Sequence, residues 1–387
     1  MNYAYLVMVT PEANHNKFYQ MRQINDSVFE ASWGRVGAKP SVPFTYPMRV
    51  WNSTLESKLR KGYQDQTAMH NVARHAEYKP IADPNVRSFF EEIEGYSSRV
   101  LERNYTISFD EVSTAMVSSA KYELQHIQDN MGIDAVNDIL LKVFCILPRK
   151  MKKVEDYLVH EPAEIQTVLK REYDLLDVMA ARATKGSVTA MDRSKTILEQ
   201  LGLSIDLIRS GSRAESQIKK FMGTESSDKF VRAFRVRNKN TDDRFYTYMK
   251  QNNYSERDIH YLYHGSRNEN WYGLMKTGPL LSPENVVITG KAFGRGIYFA
   301  NRAKKSIGYS SLRGSYWTHG TSSKGYLAVY KVLYRDPKIV QTTGQYSLKN
   351  IYPHDAVFAE KGVTLVNDEI IIFREEQATL QYIIELG

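Results

Sequence analysis

The hydrophobic period of this 387-residue chain changes twice, and each change limits what the chain can build. Residues 1–80 open with alternation: Tyr3, Tyr5, Val7 and Val9 fall on one face of a strand. A polar turn from Pro11 to Asn16 leads to a second strand, Lys17 to Ile24, and Asn25-Asp26-Ser27 reads as a hairpin turn. Val28 to Trp33 makes a third strand and runs into Gly34-Arg35-Val36-Gly37; a helix over about Ser53–Tyr63 closes a small α+β unit. Pro80 and Asp83-Pro84 then break the chain, and helical spacing takes over. Val86, Phe89, Phe90 and Ile93 form one apolar stripe. Ile133, Val136, Leu140, Val143 and Leu147 form another, stopped by Pro148. Glu161-Pro162 opens a helix that buries Ile165, Val168, Leu169 and Leu176, and Ile218, Phe221 and Met222 mark a last one. Residues 81–225 therefore read as an all-α bundle with nothing catalytic in it; His126 and His160 lack metal spacing and read as surface or packing residues. From 226 strands return: Phe230 to Val236, Ile259 to Tyr263, Tyr326 to Tyr334 (apolar on both faces, as a central strand is), Glu369 to Phe373 and Leu380 to Leu386. The fold class is multidomain α+β, divided at 1–80, 81–225 and 226–387.

Bulk properties exclude several classes. No apolar run approaches the roughly 20 residues of a membrane span, and the N-terminus lacks a signal-peptide core. A single cysteine, Cys145, excludes an internal disulfide and a cysteine-based zinc finger. An intracellular protein without membrane contact or bound metal is expected. The net charge of +8 permits an anionic partner. The 26 tyrosines supply flat apolar faces with a polar tip, suited to stacking on rings and bases.

The chemistry-bearing residues gather in the last third. Tyr263-His264-Gly265-Ser266-Arg267 ends a strand, and Gly294-Arg295-Gly296-Ile297-Tyr298-Phe299-Ala300 comes after it. Lys305-Ser306-Ile307-Gly308-Tyr309 is next, and Asn367-Asp368-Glu369 puts an acid at the head of a strand. Gly294-Arg295-Gly296 lacks the third glycine of a dinucleotide-binding turn, and no phosphate-loop lysine motif is present.

In that order and spacing these segments closely resemble the catalytic domain of the poly(ADP-ribose) polymerases, with its His-Tyr-Glu signature. The resemblance implies a mixed α/β ADP-ribosyltransferase fold over 226–387 that takes NAD as co-substrate. His264 would hydrogen-bond a ribose hydroxyl of NAD, Gly265 would pair its backbone with the nicotinamide carboxamide, and Ser266 would sit by the adenosine ribose. Ser306 would donate to the carboxamide oxygen. Tyr298 and Tyr309 would sandwich the nicotinamide ring, and Lys305 would lie near the reacting centre. Glu369 would bind the ribose 2′-hydroxyl and polarise the acceptor hydroxyl, so His264, Tyr298 and Glu369 carry catalysis. Asn16-Lys17-Phe18-Tyr19 with Ser32-Trp33-Gly34-Arg35-Val36-Gly37 resembles the WGR module of the same family. There Trp33 would pack on a DNA end and Arg35 would meet backbone phosphate; stacking and a guanidinium suit those tasks. Val143 to Pro148 and Tyr173 to Asp177 are similar to the family's helical regulatory domain, which implies a bundle that covers the NAD site until DNA loosens it.

For the whole chain the resemblance implies an enzyme that answers to DNA strand breaks with 5′-phosphorylated ends and modifies protein acceptors, itself included. It would be nuclear in a eukaryote and nucleoid-associated in a bacterium. Two other readings stay open: a mono-ADP-ribosyltransferase, and a DNA-end-binding module whose transferase domain has decayed. A toxin-type transferase would need Arg where His264 stands. Two departures from the family pattern stand out. Leucines occupy the Leu280–Asn285 loop where many relatives place an arginine near the adenine, and the Tyr334–Val366 segment is shorter than in vertebrate relatives.

Overall fold

The computed structural model describes residues 2–67, 78–105, 112–128, 130–183, 194–281, 292–362 and 365–387. The chain divides into two compact units: Met1–Ala76 with Ser98–Met191, and Glu77–Ser97 with Asp192–Gly387.

The first unit opens with strands β1 (Tyr3–Thr10), β2 (His15–Gln23), β3 (Val28–Arg35) and β4 (Phe44–Pro47), helix α1 (Trp51–Arg60) and a short β5 (Gln64–Asp65). They form an antiparallel sheet in the order β4-β3-β2-β1-β5. The predicted turn at Asn25 is set by its own side chain, whose Oδ1 accepts from the Ser27 and Val28 backbone N–H groups at 2.9 and 3.0 Å. Ala4, Leu6, Tyr19, Met21, Phe29, Ala31 and Trp51 make one core. Alternation predicts one buried face for β1, yet Ala4 to Val9 are all buried. The reason lies downstream: the helix Ile133–Ile146 packs against β1 and covers its second face.

Helix α2 (Pro84–Asn104) leads to α3 (Thr114–Leu124), α4 (Ile133–Ile146) and α5 (Ile165–Arg182). The first expected stripe is buried, and so is the second apart from half-buried Ile133. His126 and His160 are exposed. The interior of the unit holds an ion pair, Arg149 to Glu172 at 2.5 Å. The Arg149 carbonyl accepts from Asn16 Nδ2 at 2.8 Å and so joins the bundle to β2. Burial pushes the Cys145 thiol up to about 12, against a hydrogen bond from the Val9 backbone.

In the second unit α6 (Ile197–Leu201), β6 (Leu203–Leu207), α7 (Arg213–Met222), β7 (Phe230–Asn238), α8 (Lys239–Gln251), β8 (Ile259–Gly265) and α9 (Trp271–Thr277) come first. After them come β9 (Ile297–Phe299), α10 (Ala303–Ile307), β10 (Gly325–Leu333), β11 (Pro337–Val340), α11 (Leu348–Ile351), β12 (Ala356–Ala359), β13 (Glu369–Ile372) and β14 (Ala378–Leu386). One sheet runs β6-β7-β14-β10-β8 and is antiparallel throughout; the other runs β11-β12-β13-β9. Tyr263 and Ala300 exchange two backbone hydrogen bonds, 2.8 and 2.9 Å, and so join β8 to the end of β9.

Compact grouping does not follow the expected limits at 80/81 and 225/226. The large sheet begins at Leu203, since β6 pairs with β7, and Ile218 and Met222 of α7 pack with Tyr263, Leu327 and Ile384. Residues 84–97 of α2 also belong here. Phe89 stacks on Phe234 with centroids 4.0 Å apart, and Glu92 receives Lys324 Nζ at 3.0 Å.

Candidate active site

The site lies where the two sheets of the second unit are joined. β8 runs antiparallel to β10, which pairs His264 with Ala328 and Gly265 with Leu327. The His264 ring is held by Nδ1, 3.0 Å from the Tyr298 carbonyl. That contact fixes one ring nitrogen on the protein and with it the orientation of the ring. Phe299 and Tyr330 pack beside the imidazole, with centroids at 5.8 and 5.9 Å. Gly265 has no room for a side chain: a Cβ there would stand 1.7 Å from the Ser306 carbonyl oxygen. Backbone of β8 and backbone of α10 thus approach each other directly, the close passage that only glycine permits. Ser306 itself is buried. Ser266 is half-buried and accepts from Asn270 Nδ2 at 2.9 Å.

Tyr298 sits mid-strand in β9, paired with Ile371 of β13. Its hydroxyl donates to the Gly294 carbonyl at 2.7 Å and accepts from the Phe293 N–H at 3.0 Å. Gly294 has φ +91, and its Cβ would collide with the Tyr346 carbonyl at 2.1 Å, so the loop before β9 is shaped around a glycine. Burial, with a smaller effect from Glu369, holds the Tyr298 hydroxyl above the usual phenol range. The Tyr309 hydroxyl is pushed up to about 12, by burial first and by the Glu369 charge second. Both phenols therefore sense the same carboxylate.

Glu369 heads β13 and is 6% exposed. Its Oε1 lies 2.5 Å from Lys305 Nζ, and the ammonium also donates to the Asn367 carbonyl at 3.2 Å. A nearly buried carboxylate with a cationic partner is a charged group kept out of water, where its field acts at greatest strength. His264, Gly265, Tyr298, Lys305, Ser306 and Glu369 belong to β8, β9, α10 and β13, and Tyr309 follows α10 by two residues. Chemically, the arrangement offers a carboxylate for stabilising positive charge, aromatic side chains for a flat ring and a backbone edge for an amide. Sequence reasoning missed Tyr330 and Trp317, the second stacked on Tyr309 at 5.9 Å. Tyr330 lay in plain view in the run read as a central strand. Leu280 and Leu281 are exposed, and the rest of the Leu280–Asn285 loop lies outside the described residues.

The two residues expected at a DNA end lie in the first unit. Trp33 is half-buried between near-parallel rings, Tyr19 at 5.6 Å and Phe44 at 5.4 Å, and Phe44 is exposed. The Arg35 guanidinium is committed within the protein. It donates to the carbonyls of Asn14 (2.8 Å), Met151 (2.9 Å) and Lys152 (2.6 Å), and to Asn14 Oδ1 (3.2 Å). Contact with a phosphate requires some of these bonds to open.

Comparison with known proteins bears on the second unit first. The family "Poly(ADP-ribose) polymerase catalytic domain" matches residues 212–333, from α7 through β10. Uncharacterized protein 101L of Invertebrate iridescent virus 6 is 27% identical over 186 residues, 47% of this chain and 78% of that protein. Poly [ADP-ribose] polymerase 2 of Arabidopsis thaliana aligns over 96% of this chain and 71% of its own length at 20% identity. Poly [ADP-ribose] polymerase 1 of Gallus gallus aligns over 68% of this chain at 23% identity, but over only 27% of its own length. For that relative and for poly [ADP-ribose] polymerase 2-A of Oryza sativa, at 24%, the shared region is about a quarter of the relative. The matched segment carries the His264 strand and Tyr298, so the comparisons lead to one conclusion: residues 212–333 are similar to the catalytic domain of the poly(ADP-ribose) polymerases, a class of NAD ADP-ribosyltransferases.

Proposed function

We propose that the protein is a DNA-break-activated poly(ADP-ribose) polymerase, which transfers ADP-ribose from NAD to protein acceptors, itself included, and extends the chains. The observation that carries the catalytic reading is the buried Glu369–Lys305 pair, within electrostatic reach of Tyr309 and at the head of the strand paired with the one that holds Tyr298. Breaking the bond between nicotinamide nitrogen and the ribose anomeric carbon sends the electron pair to nicotinamide and builds positive charge on the sugar. Glu369 stabilises that charge. It then takes the proton of the acceptor hydroxyl as the new carbon–oxygen bond forms, a contribution typically of about 10²–10⁴-fold. His264 holds a ribose hydroxyl. The backbone of Gly265 receives the carboxamide, with Ser306 beside it, and Tyr298 and Tyr309 hold the nicotinamide ring. Ser266 lies toward the adenosine ribose.

In the same reading residues 1–80 find the DNA end, the helical segment that follows regulates, and the unit built on residues 192–387 catalyses. Trp33 and the exposed ring of Phe44 give the reader a flat apolar surface for a terminal base or sugar, which is sequence-blind. The Arg35 bonds to Met151 and Lys152 support a reader coupled to the segment that follows α4, so an engaged DNA end reaches the bundle through them. Nicotinamide release from NAD, with product length read on a gel, tests the catalytic part. Long ladders support chain growth, single additions make the enzyme a mono-ADP-ribosyltransferase, and no release leaves only the binding module.

A further inference from the structure

Between α10 and β10 the chain makes a 17-residue excursion, 308–324, of which the catalytic reading uses Tyr309 alone. It carries two exposed aromatic residues, Tyr316 (71%) and Trp317 (58%), at the edge of the site. Exposed aromatics normally sit on loose chain, but this segment is tightly knit. Arg313 N–H donates to the Ser322 carbonyl at 2.8 Å, Ser322 N–H to the Ser311 carbonyl at 3.0 Å and Ser315 N–H to the Leu312 carbonyl at 3.0 Å. Inside, Ser310 Oγ and Ser315 Oγ lie 2.9 Å apart, and both donate to the Ile307 carbonyl at the end of α10. Thr318 Oγ1 donates to the Ser310 carbonyl. At its far end Lys324 is held by Glu92.

All this bracing fixes one ring. The Trp317 backbone N–H donates to the Gly308 carbonyl at 2.9 Å, one residue before Tyr309. A Cβ at Gly308 would come within 3.1 Å of Trp317 Cδ1, so the indole lies against the backbone there. Its plane is 17° from that of Tyr309, and Tyr316 closes its other side edge-on, with centroids 4.7 Å apart.

We infer that Trp317 is a positioning residue for the nicotinamide end of NAD: it backs the Tyr309 ring and holds it in the orientation that stacks on nicotinamide. This rests on the assignment of Tyr309 to the nicotinamide pocket. A phenol on the short Gly308-Tyr309-Ser310 link has two side-chain torsions to lose on stacking, and a parallel ring already set behind it removes that loss beforehand. Trp317 touches no reacting atom, so its effect falls on binding of the base and not on the bond-breaking step.

The test compares the full-length protein with Trp317→Ala and Trp317→Phe, using nicotinamide and ADP-ribose as separate inhibitors of NAD turnover. For Trp317→Ala the inference expects KM for NAD and the inhibition constant of nicotinamide to rise together by about two- to tenfold, the range one aromatic pair supplies. It expects kcat within about twofold, ADP-ribose inhibition unmoved, and most of the loss restored by Trp317→Phe. Unchanged nicotinamide inhibition in Trp317→Ala overturns it. So does equal weakening of nicotinamide and ADP-ribose, or a fall in thermal midpoint matching the loss, since either marks general collapse of the loop. If the unaltered protein neither releases nicotinamide from NAD nor is bound by it, the pocket assignment itself fails and this inference falls with it.

Discussion

At the residue scale the account turns on Glu369. Exchange for Gln keeps its size and removes its charge, so transition-state stabilisation and the base are both lost. Glu369→Gln is expected to abolish chain elongation while short additions persist at a lower rate; long polymer from this variant on a sequencing gel would refute the role. Lys305 is its complement. Removing one partner of a nearly buried pair is commonly worth about 3–5 kcal/mol, so Lys305→Ala should lower the unfolding midpoint and activity together. Lys305→Arg should recover more of the stability than of the activity. A thermal melt of Lys305→Ala that matches the parent would contradict the burial of the pair. Cys145 gives a pH prediction. Its folded pKa of about 12 lies above the ordinary thiol value of about 8.5, so the folded state holds the proton more tightly. The thiol's contribution to stability is whole below about pH 8.5 and is lost as pH rises from there through about 12. Iodoacetamide at pH 8 should leave Cys145 unlabelled until denaturant is added; rapid native labelling would show that the thiol is open. The proposed trio of His264, Tyr298 and Glu369 could be singled out because each residue type does a job few others can, in a fixed order. Arg35 was legible only as a guanidinium: its partners Met151 and Lys152 stand more than a hundred positions away, and no spacing rule reaches that far.

At the element scale the instructive segment is β6. Leu203 and Ile205 are buried while Ser204 and Asp206 are exposed, a clean period of two. Five residues between two helical stripes are too few to announce a strand, so 81–225 read as helical throughout. α3 escaped notice for a related reason: its buried face includes Ala120 beside Met116, Val117 and Leu124 and makes a weak stripe. Strands β1, β2, β3, β7, β8, β10 and β14 were legible because their runs are long or strictly alternating, whereas the four residues of β4 were not. The consequence is practical. A chain starting at residue 226 loses β6 and α7, uncovers the edge of β7 and strips Ile218 and Met222 from the core around Tyr263. It is expected to be insoluble or unfolded by circular dichroism, whereas a chain of 77–97 linked to 192–387 keeps the whole second unit. A folded, active 226–387 fragment would show that β6 and α7 are dispensable. Within α2, Phe89 is fully buried against Phe234 and Tyr326. Phe89→Ala should cost about 3–5 kcal/mol, measured by urea unfolding; a loss under about 1 kcal/mol would mean that the helix is not part of this core.

At the scale of the whole molecule the claim is that a reader in the first unit controls an NAD enzyme in the second. The order of segments along the chain and the commitment of Arg35 to the segment after α4 support it. If the bundle restrains the enzyme by occlusion, the linked 77–97/192–387 chain is expected to turn over NAD without DNA; activity no higher than that of the DNA-free full chain would argue against restraint. Binding through backbone phosphate should also weaken as salt rises. The most direct test is nicotinamide released from NAD by the full chain as a function of added blunt DNA with 5′-phosphorylated ends, with Trp33→Ala in parallel. The account predicts a low basal rate, a saturable rise with DNA ends, and a rise that Trp33→Ala largely removes while its basal rate stays. A rate that is indifferent to DNA ends, or the absence of nicotinamide release at any DNA concentration, would contradict it.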